Sequence, residues 1–593
     1  MEKILKIGRS DFGLFIKNGF YLVDKTNLIY DFHNNANDIV LFPRPKRFGK
    51  TLNLSMIEYF YDIQKQENKE LFSNLKIAKN AEFCKEHQNK YPVINITLKG
   101  IKETNWEKCL NKFGDVISEL YKKYNFLLKS EKIEDYDKEE IEQIIRKTAN
   151  ETTIKGGLLK LSKNLETHFN QKVVILVDEY DTPIISAFNN TNSPIKSEDK
   201  ENKTYYEKVI NFMQGFLGDA YKENDALFKG MLTGVMRVGR ESIFSEWNNF
   251  DVFGITSNYF SDSFGFTEEE TEQILIDFGL KSKIKDIKQW YDGYKFGAKD
   301  SIYNPWSIVN YIGKSKDKFK PYWINSGDYS LIKSRIIEIG VSGDIQELIE
   351  GKIIEASLYD NFVFQDFEKG SELFWTLLTD NGYLTQAGEA DFGRYKLKIP
   401  NKEVKIIFTN IIKTWIDTEV KLNGNLLAKA AKDLITGNIN EFEQNFKKII
   451  GDTLSYYDTA EKTNKQTKEK LVTNEQIYHV YTLGLLAILT DEYIIKSNRE
   501  SGDGRYDIML IPYDKTKKGV VIEIKSIQQQ KKSEEERDFI KRVNGEIKDA
   551  LNQIDKNRYY TELIENKVKP ENIVKLAIVF VGKEPYINEI EEK

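Results

Sequence analysis

Cysteine and histidine are scarce in this chain, with 2 and 4 residues among 593. Cys84 and Cys109 cannot make a disulfide framework, and nothing has the paired Cys/His spacing of a structural zinc site. Two lone thiols suit a reducing compartment, so the cytoplasm is the expected location. Long hydrophobic runs are missing too. No stretch of roughly 18 apolar residues occurs, so no membrane span is expected. The opening Met1-Glu2-Lys3-Ile4-Leu5-Lys6 has no apolar core of signal-peptide length. The third absence is an excess of positive charge. The formal net charge is −5, so contact with nucleic acid has to come from local patches.

What is present is an ordinary soluble composition, 40% hydrophobic and 30% charged, in a chain too long for one core. Two to four domains are expected. Three follow from the motifs: residues 1–264, a mainly helical middle 265–455, and 456–593.

Near the C-terminus, Tyr506-Asp507-Ile508-Met509-Leu510-Ile511 and Gly519-Val520-Val521-Ile522-Glu523-Ile524-Lys525 both read as strands. The polar Pro512–Lys518 stretch between them reads as a turn, giving a hairpin. Asp507 and Glu523 then fall roughly opposite one another. Two facing carboxylates repel unless a cation sits between them, and a hard ion such as Mg²⁺ takes oxygen ligands of this kind. Lys525 lies two residues past Glu523, on the same strand face. The strand is apolar on both sides, which predicts a central, buried position, where a charged pair is costly without a task.

Near the N-terminus, Phe20–Thr26 reads as strand-like, with a helix from Asn27. Ile39-Val40-Leu41-Phe42 then reads as a buried strand. Pro43-Arg44-Pro45-Lys46-Arg47-Phe48-Gly49-Lys50-Thr51 leads from it into a helix, the order a P-loop requires. Backbone N–H groups at the helix start, around Arg47 and Gly49, and the Lys50 ammonium would cradle phosphates, while the Thr51 hydroxyl would bind Mg²⁺. Arg44 stands where generic P-loops have their first glycine. Val173-Val174-Ile175-Leu176-Val177-Asp178-Glu179 is the Walker B pattern, a buried strand delivering carboxylates at its C-terminal end. Asp178 would hold Mg²⁺ and Glu179 would polarise the attacking water. Phe228–Val235 is a further strand carrying Thr233 near its end, where a polar residue can sense a γ-phosphate. Arg237 and Arg240 follow, as either phosphate-reading arginines or surface cations.

Taken together, Val23-Asp24-Lys25-Thr26, the Arg44–Leu52 loop, Val177–Asp181, Thr233-Gly234-Val235, Trp290–Gly297 and Tyr303–Ser307 resemble the AAA-ATPase-like family of bacterial proteins, in which Arg44 is the usual form of the loop. The Asp507–(15 residues)–Glu523-x-Lys525 spacing resembles the PD-(D/E)XK nuclease signature, a domain such proteins commonly carry at the C-terminus. The resemblance implies an α/β chain: a P-loop ATPase domain with a parallel sheet, a helical middle region, and a C-terminal α/β nuclease-like domain. In the middle region, residues 373–401 read as helix, hairpin and helix, a winged-helix-like unit with either a packing or a DNA-binding role. The resemblance further implies Glu475, on a first helix, as a metal ligand or else a capping acid. It implies Gln553, with Tyr559 or Tyr560, as a catalytic neighbour. ATP and Mg²⁺ are the expected cofactors. The expected partners are nucleotide and nucleic acid, DNA in preference to RNA, with no membrane and with homo-oligomerisation left open. The competing expectation is a regulatory ATP-binding scaffold whose nuclease-like domain only binds.

Overall fold

The computed structural model describes residues 4–191, 204–237, 243–244, 247, 249–314, 319–323, 342–349, 351–359, 372–408, 424–453, 482, 486, 489, 492–501, 504–530, 534–582 and 584–589. The chain divides into two compact units. The first comprises residues 1–335 and 353–404, and the second 336–352 and 405–593.

The first unit is built on a five-stranded parallel sheet, β1 (Ile39–Pro43), β2 (Val93–Thr97), β3 (Val173–Asp178), β4 (Leu227–Gly234) and β5 (Phe250–Val252), in the order β2-β3-β4-β1-β5. β1 and β3 are buried at every position. Their unbroken runs of Ile, Val, Leu and Phe suit strands covered on both faces. Helices such as Trp106–Lys123 and Tyr205–Tyr221 supply the cover, with Phe113 packed on Phe212 and Phe216. Because β4 lies between β1 and β3, the loop after β1, the end of β3 and the end of β4 reach the same edge. Phe42 pairs with Thr233, and Val177 with Leu232.

Beyond this sheet, the unit adds helices and two small antiparallel sheets. One joins β6 (Phe266–Thr267), β7 (Tyr294–Phe296) and β8 (Lys299–Tyr303). Thr267 caps the helix Glu268–Asp277 in a full capping box with Glu270, as its Thr-Glu-Glu-Glu sequence predicts. The other joins β9 (Ile354–Ala356), β10 (Thr385–Glu389) and β11 (Tyr395–Lys398). Helix Glu372–Asp380 and the β10–β11 hairpin follow in the expected order, and the second helix starts at residue 402, just past the expected span of 373–401.

The expected strand at Phe20–Thr26 does not form. Only Phe20 bridges, to Ile4. The Asp24 carboxylate instead accepts the Thr26 N–H and hydroxyl and the Lys76 N–H. A side chain that satisfies nearby backbone donors competes with a sheet ladder, and here it wins.

The second unit is a mixed sheet of β12 (Tyr493–Ser501), β13 (Gly504–Pro512), β14 (Gly519–Ile527), β15 (Ile573–Val581) and β16 (Glu584–Glu589), in sequence order. Only the β14–β15 pair is parallel. The predicted hairpin is β13–β14, and β14 is the central strand as its apolar sequence implies. β15 is followed by β16, which forms the edge. One sheet face packs Ile508, Ile522 and Ile578 on Leu434, Phe446 and Ile449. The other packs Ala577 and Val579 on Val543, Ile547 and Ala550 of helix Glu536–Lys556.

Candidate functional sites

In the first unit, the chain leaves β1 through the basic loop and enters helix Lys50–Tyr61. Two residues of the loop have left-handed backbone, Arg47 at φ 71° and Gly49 at φ 90°. The glycine takes that conformation without a Cβ penalty. Lys50 is buried, and its ammonium donates to the carbonyls of Arg44 at 2.6 Å and Pro45 at 3.1 Å. Burial pushes it down to about 8, opposed by Asp181, Glu179 and Asp178. A buried cation with carboxylates beyond it and, among the described residues, no ion pair has the chemistry to take an anion.

Asp178 closes the other side. One of its oxygens accepts the Thr51 hydroxyl at 2.8 Å and the other accepts the Thr233 hydroxyl at 2.6 Å. Hydrogen bonds to an ionised acceptor contribute about 1.5–3 kcal/mol each, so this bridge fixes the relative heights of three chain segments. Glu179 follows with φ 51°, a left-handed conformation that costs a non-glycine residue roughly 1–3 kcal/mol. Its carboxylate lies 3.3 Å from the Thr182 hydroxyl.

Asp181 is the residue sequence reasoning left without a role. It is buried, which raises its pKa, and it accepts the N–H groups of Met236 at 2.9 Å and Val235 at 2.7 Å. It thereby ties the end of β4 to the turn after β3. Its position three residues after Asp178 was the available signal. Gly234 is required there, since a Cβ would come within 2.7 Å of Tyr180.

Arg44 does not face this edge. Its guanidinium donates to the carbonyls of Pro43 and Phe253 and lies 5.2 Å from the Phe264 and Phe296 rings. It is fully buried, which pushes it down to about 9. A peg of this kind explains why the loop does without its first glycine. The Arg47 guanidinium is stacked 4.1 Å from the Trp306 ring. Arg240 lies outside the described residues.

In the second unit, the register Ile508↔Ile522, continued by one step, sets Asp507 opposite Glu523. Instead of a regular ladder bond, the Asp507 carboxylate accepts the backbone N–H of Ile524 at 2.6 Å. Glu523 is 2% exposed and accepts from the Lys525 ammonium at 2.8 Å. Asp507, Glu523 and Lys525 are thus brought together as predicted. Gln553 is engaged elsewhere: its amide and that of Asn557 both donate to the Tyr559 hydroxyl at 3.0 Å. Of the two tyrosines considered with it, Tyr559 is the one this hydrogen bond reaches. Glu475 lies outside the described residues.

Both sites fit the cation their chemistry calls for. Asp507 and Glu523 offer two hard carboxylate ligands, the number Mg²⁺ takes when water and substrate phosphate complete its six. Among the described residues no group of three acidic, His or Cys side chains gathers to form a fuller cage. Thr51 and Asp178 offer a hydroxyl and a carboxylate at hydrogen-bonding distance.

Residues 6–244 match the family model described as predicted AAA-ATPase, and residues 473–590 match that of the PD-(D/E)XK nuclease superfamily. The chain carries both domains, in that order. It is also similar to an uncharacterized protein of the vnfD 5′ region of Azotobacter chroococcum mcd 1, at 25% identity over 410 residues, 68% of this chain and 69% of that protein. The AAA-ATPase-like match covers β1 to β4 and with them Lys50, Thr51, Asp178 and Thr233. The nuclease-superfamily match covers the whole mixed sheet. No helix among the described residues is long and apolar enough to cross a membrane.

Proposed function

We propose that the chain hydrolyses ATP at the Lys50 loop and cleaves nucleic-acid phosphodiesters, DNA in preference to RNA, at the Asp507–Glu523–Lys525 hairpin. The observation that carries the second half is the Asp507 carboxylate on the Ile524 N–H, between Glu523 and Lys525.

At the first site, Lys50 exchanges its two loop carbonyls for β- and γ-phosphate oxygens. Loop N–H groups from Arg47 through Gly49 supply further donors, and Thr51 and Asp178 hold Mg²⁺. Glu179 accepts the proton of the attacking water, and Thr233 and Arg240 read the terminal phosphate. At the second site, Asp507 and Glu523 hold Mg²⁺, with Glu475 as an additional acid and Gln553 on the flanking helix. Mg²⁺, when bound, supplies Lewis acidity toward the phosphate oxygens. Lys525 orients the nucleophilic water and offsets charge on the phosphorus centre. ATP turnover gates this cleavage.

The test is purified protein with labelled DNA and RNA, with and without Mg²⁺ and ATP. The expected result is Mg²⁺-dependent cutting, faster on DNA, and nucleic-acid-stimulated ATP turnover. Binding of nucleic acid without cutting under every condition would instead support the regulatory scaffold.

A further inference from the structure

The middle of the first unit reaches back to the phosphate loop. The indole N–H of Trp323 donates to the carbonyl of Lys46 at 3.2 Å, across 277 positions of sequence. Trp323 is in turn anchored. Its backbone N–H donates to Glu403 at 2.7 Å, and the other oxygen of that carboxylate accepts the Ser307 hydroxyl at 2.7 Å. Glu403 is 1% exposed, so both of its oxygens are committed inside the unit. The Tyr383 ring packs 5.1 Å from that of Trp323. The neighbouring Gly382 has φ 82° and passes so close to the loop that a Cβ would come within 2.9 Å of Pro45.

The geometry points to Trp323 as a positioning residue of the ATP site, held in place by Glu403 and Ser307. The reason lies in the peptide plane. In a trans peptide the C=O of one residue and the N–H of the next point in opposite directions. Fixing the Lys46 carbonyl toward Trp323 therefore aims the Arg47 N–H the other way. Lys50 holds the two preceding carbonyls, those of Arg44 and Pro45. That hold ends when the ammonium turns to phosphate. The Trp323 bond does not depend on Lys50, so it keeps the Arg47 N–H aimed while nucleotide is bound. Arg47 is further restrained by its stacking on Trp306, whose own indole N–H donates to the Tyr322 carbonyl. This inference rests on the reading of the Lys50 loop as an ATP site.

The test uses the full chain and a fluorescent ATP analogue, read by anisotropy, with thermal melts alongside. Trp323→Phe keeps the ring and removes the donor. It is expected to weaken nucleotide binding by about five- to tenfold, the size of one N–H···O bond. The melt should stay near wild type, and ATP KM should rise while kcat holds. Ser307→Ala, which leaves Trp323 itself intact, is expected to weaken binding about two- to threefold by loosening Glu403. Wild-type affinity in both variants, with binding lost in Lys50→Ala, would overturn the positioning role and leave the ATP site standing. Equal loss of kcat and unchanged KM in Trp323→Phe would overturn it as well. A wild-type chain that binds no nucleotide would overturn the ATP reading and this inference with it.

Discussion

Each candidate site puts carboxylates near the middle of a sheet, and the two differ in what holds the acids still. In the AAA-ATPase-like domain, Asp178 is clasped by hydroxyls 127 and 55 positions away in sequence. Three segments converge there, and each can be disturbed from outside. In the nuclease-superfamily domain, Asp507 is held by a backbone N–H 17 positions away on the next strand, and Lys525 meets Glu523 on its own strand. That site is a local product of one hairpin register. A long-range site can respond to distant parts of its unit, whereas a hairpin site is either in register or lost.

The sharpest way to break this contrast is to remove one hairpin carboxylate. Asp507→Ala is expected to lower nucleic-acid cleavage at least a hundredfold while ATP turnover without nucleic acid is unchanged. Lys525→Ala should lose cleavage to a similar degree yet bind Mg²⁺ or Mn²⁺ as well as wild type or better, because a positive neighbour has gone. Calorimetric titration beside a plasmid-nicking assay separates the two. Equal cleavage by Asp507→Ala and wild type removes the hairpin from the chemistry.

Next in size is the phosphate loop. Lys50→Ala should weaken ATP binding about ten- to a hundredfold, the range for a charged hydrogen-bond donor, and leave the melt of the nuclease domain alone. Glu179→Gln should bind ATP normally and turn it over slowly. Loss of binding in that variant assigns Glu179 the wrong role.

A pH titration gives a smaller effect with a definite sign. Lys50 sits at about 8 because of burial, so nucleotide-free protein loses that proton above pH 8. Phosphate binds the ammonium form, so affinity should fall as pH rises through about 8, approaching about tenfold per unit. Proton uptake on binding, measured in buffers of different ionisation enthalpy, should appear in the same range. A flat profile between pH 7 and 9 contradicts the buried ammonium as the phosphate contact.

The smallest effect tests the strain at Glu179. Glu179→Gly relieves φ 51° and should raise stability in urea by about 1 kcal/mol, while ATP hydrolysis is lost. No equivalent change at the hairpin should trade activity for stability this way.

Both sites were legible in the sequence where their residues are contiguous. Gly49-Lys50-Thr51 carries a helix start and its chemistry in one short window, Val173–Glu179 and Asp507–Lys525 carry strand pattern and chemistry together, and the fold has a helix at the first and strands at the other two. Arg44 was visible only as an exception, because its function as a peg depends on Phe253, Phe264 and Phe296 far along the chain. Trp323 and Glu403 had no local signal at all. A buried glutamate becomes recognisable only through the donors that surround it, and these come from Ser307 and the Trp323 backbone. Phe20–Thr26 misled for the opposite reason. Its apolar start suits a strand, but Asp24 offers the backbone a nearer partner than any neighbouring strand does.

The strand order of the first sheet also bears on how the chain is made. Among the described residues β1 pairs with β4 and β5 alone, so the five buried residues of Ile39–Pro43 have no sheet partner until Gly230, the partner of Ile39, has been synthesised, 191 positions later. At about 5–20 residues per second this is an interval of roughly 10–40 s. Throughout it an Ile-Val-Leu-Phe edge waits beside the ribosome, open to holdase chaperones and to other nascent chains. The later hairpin, closed within a few tens of residues, has no such exposure.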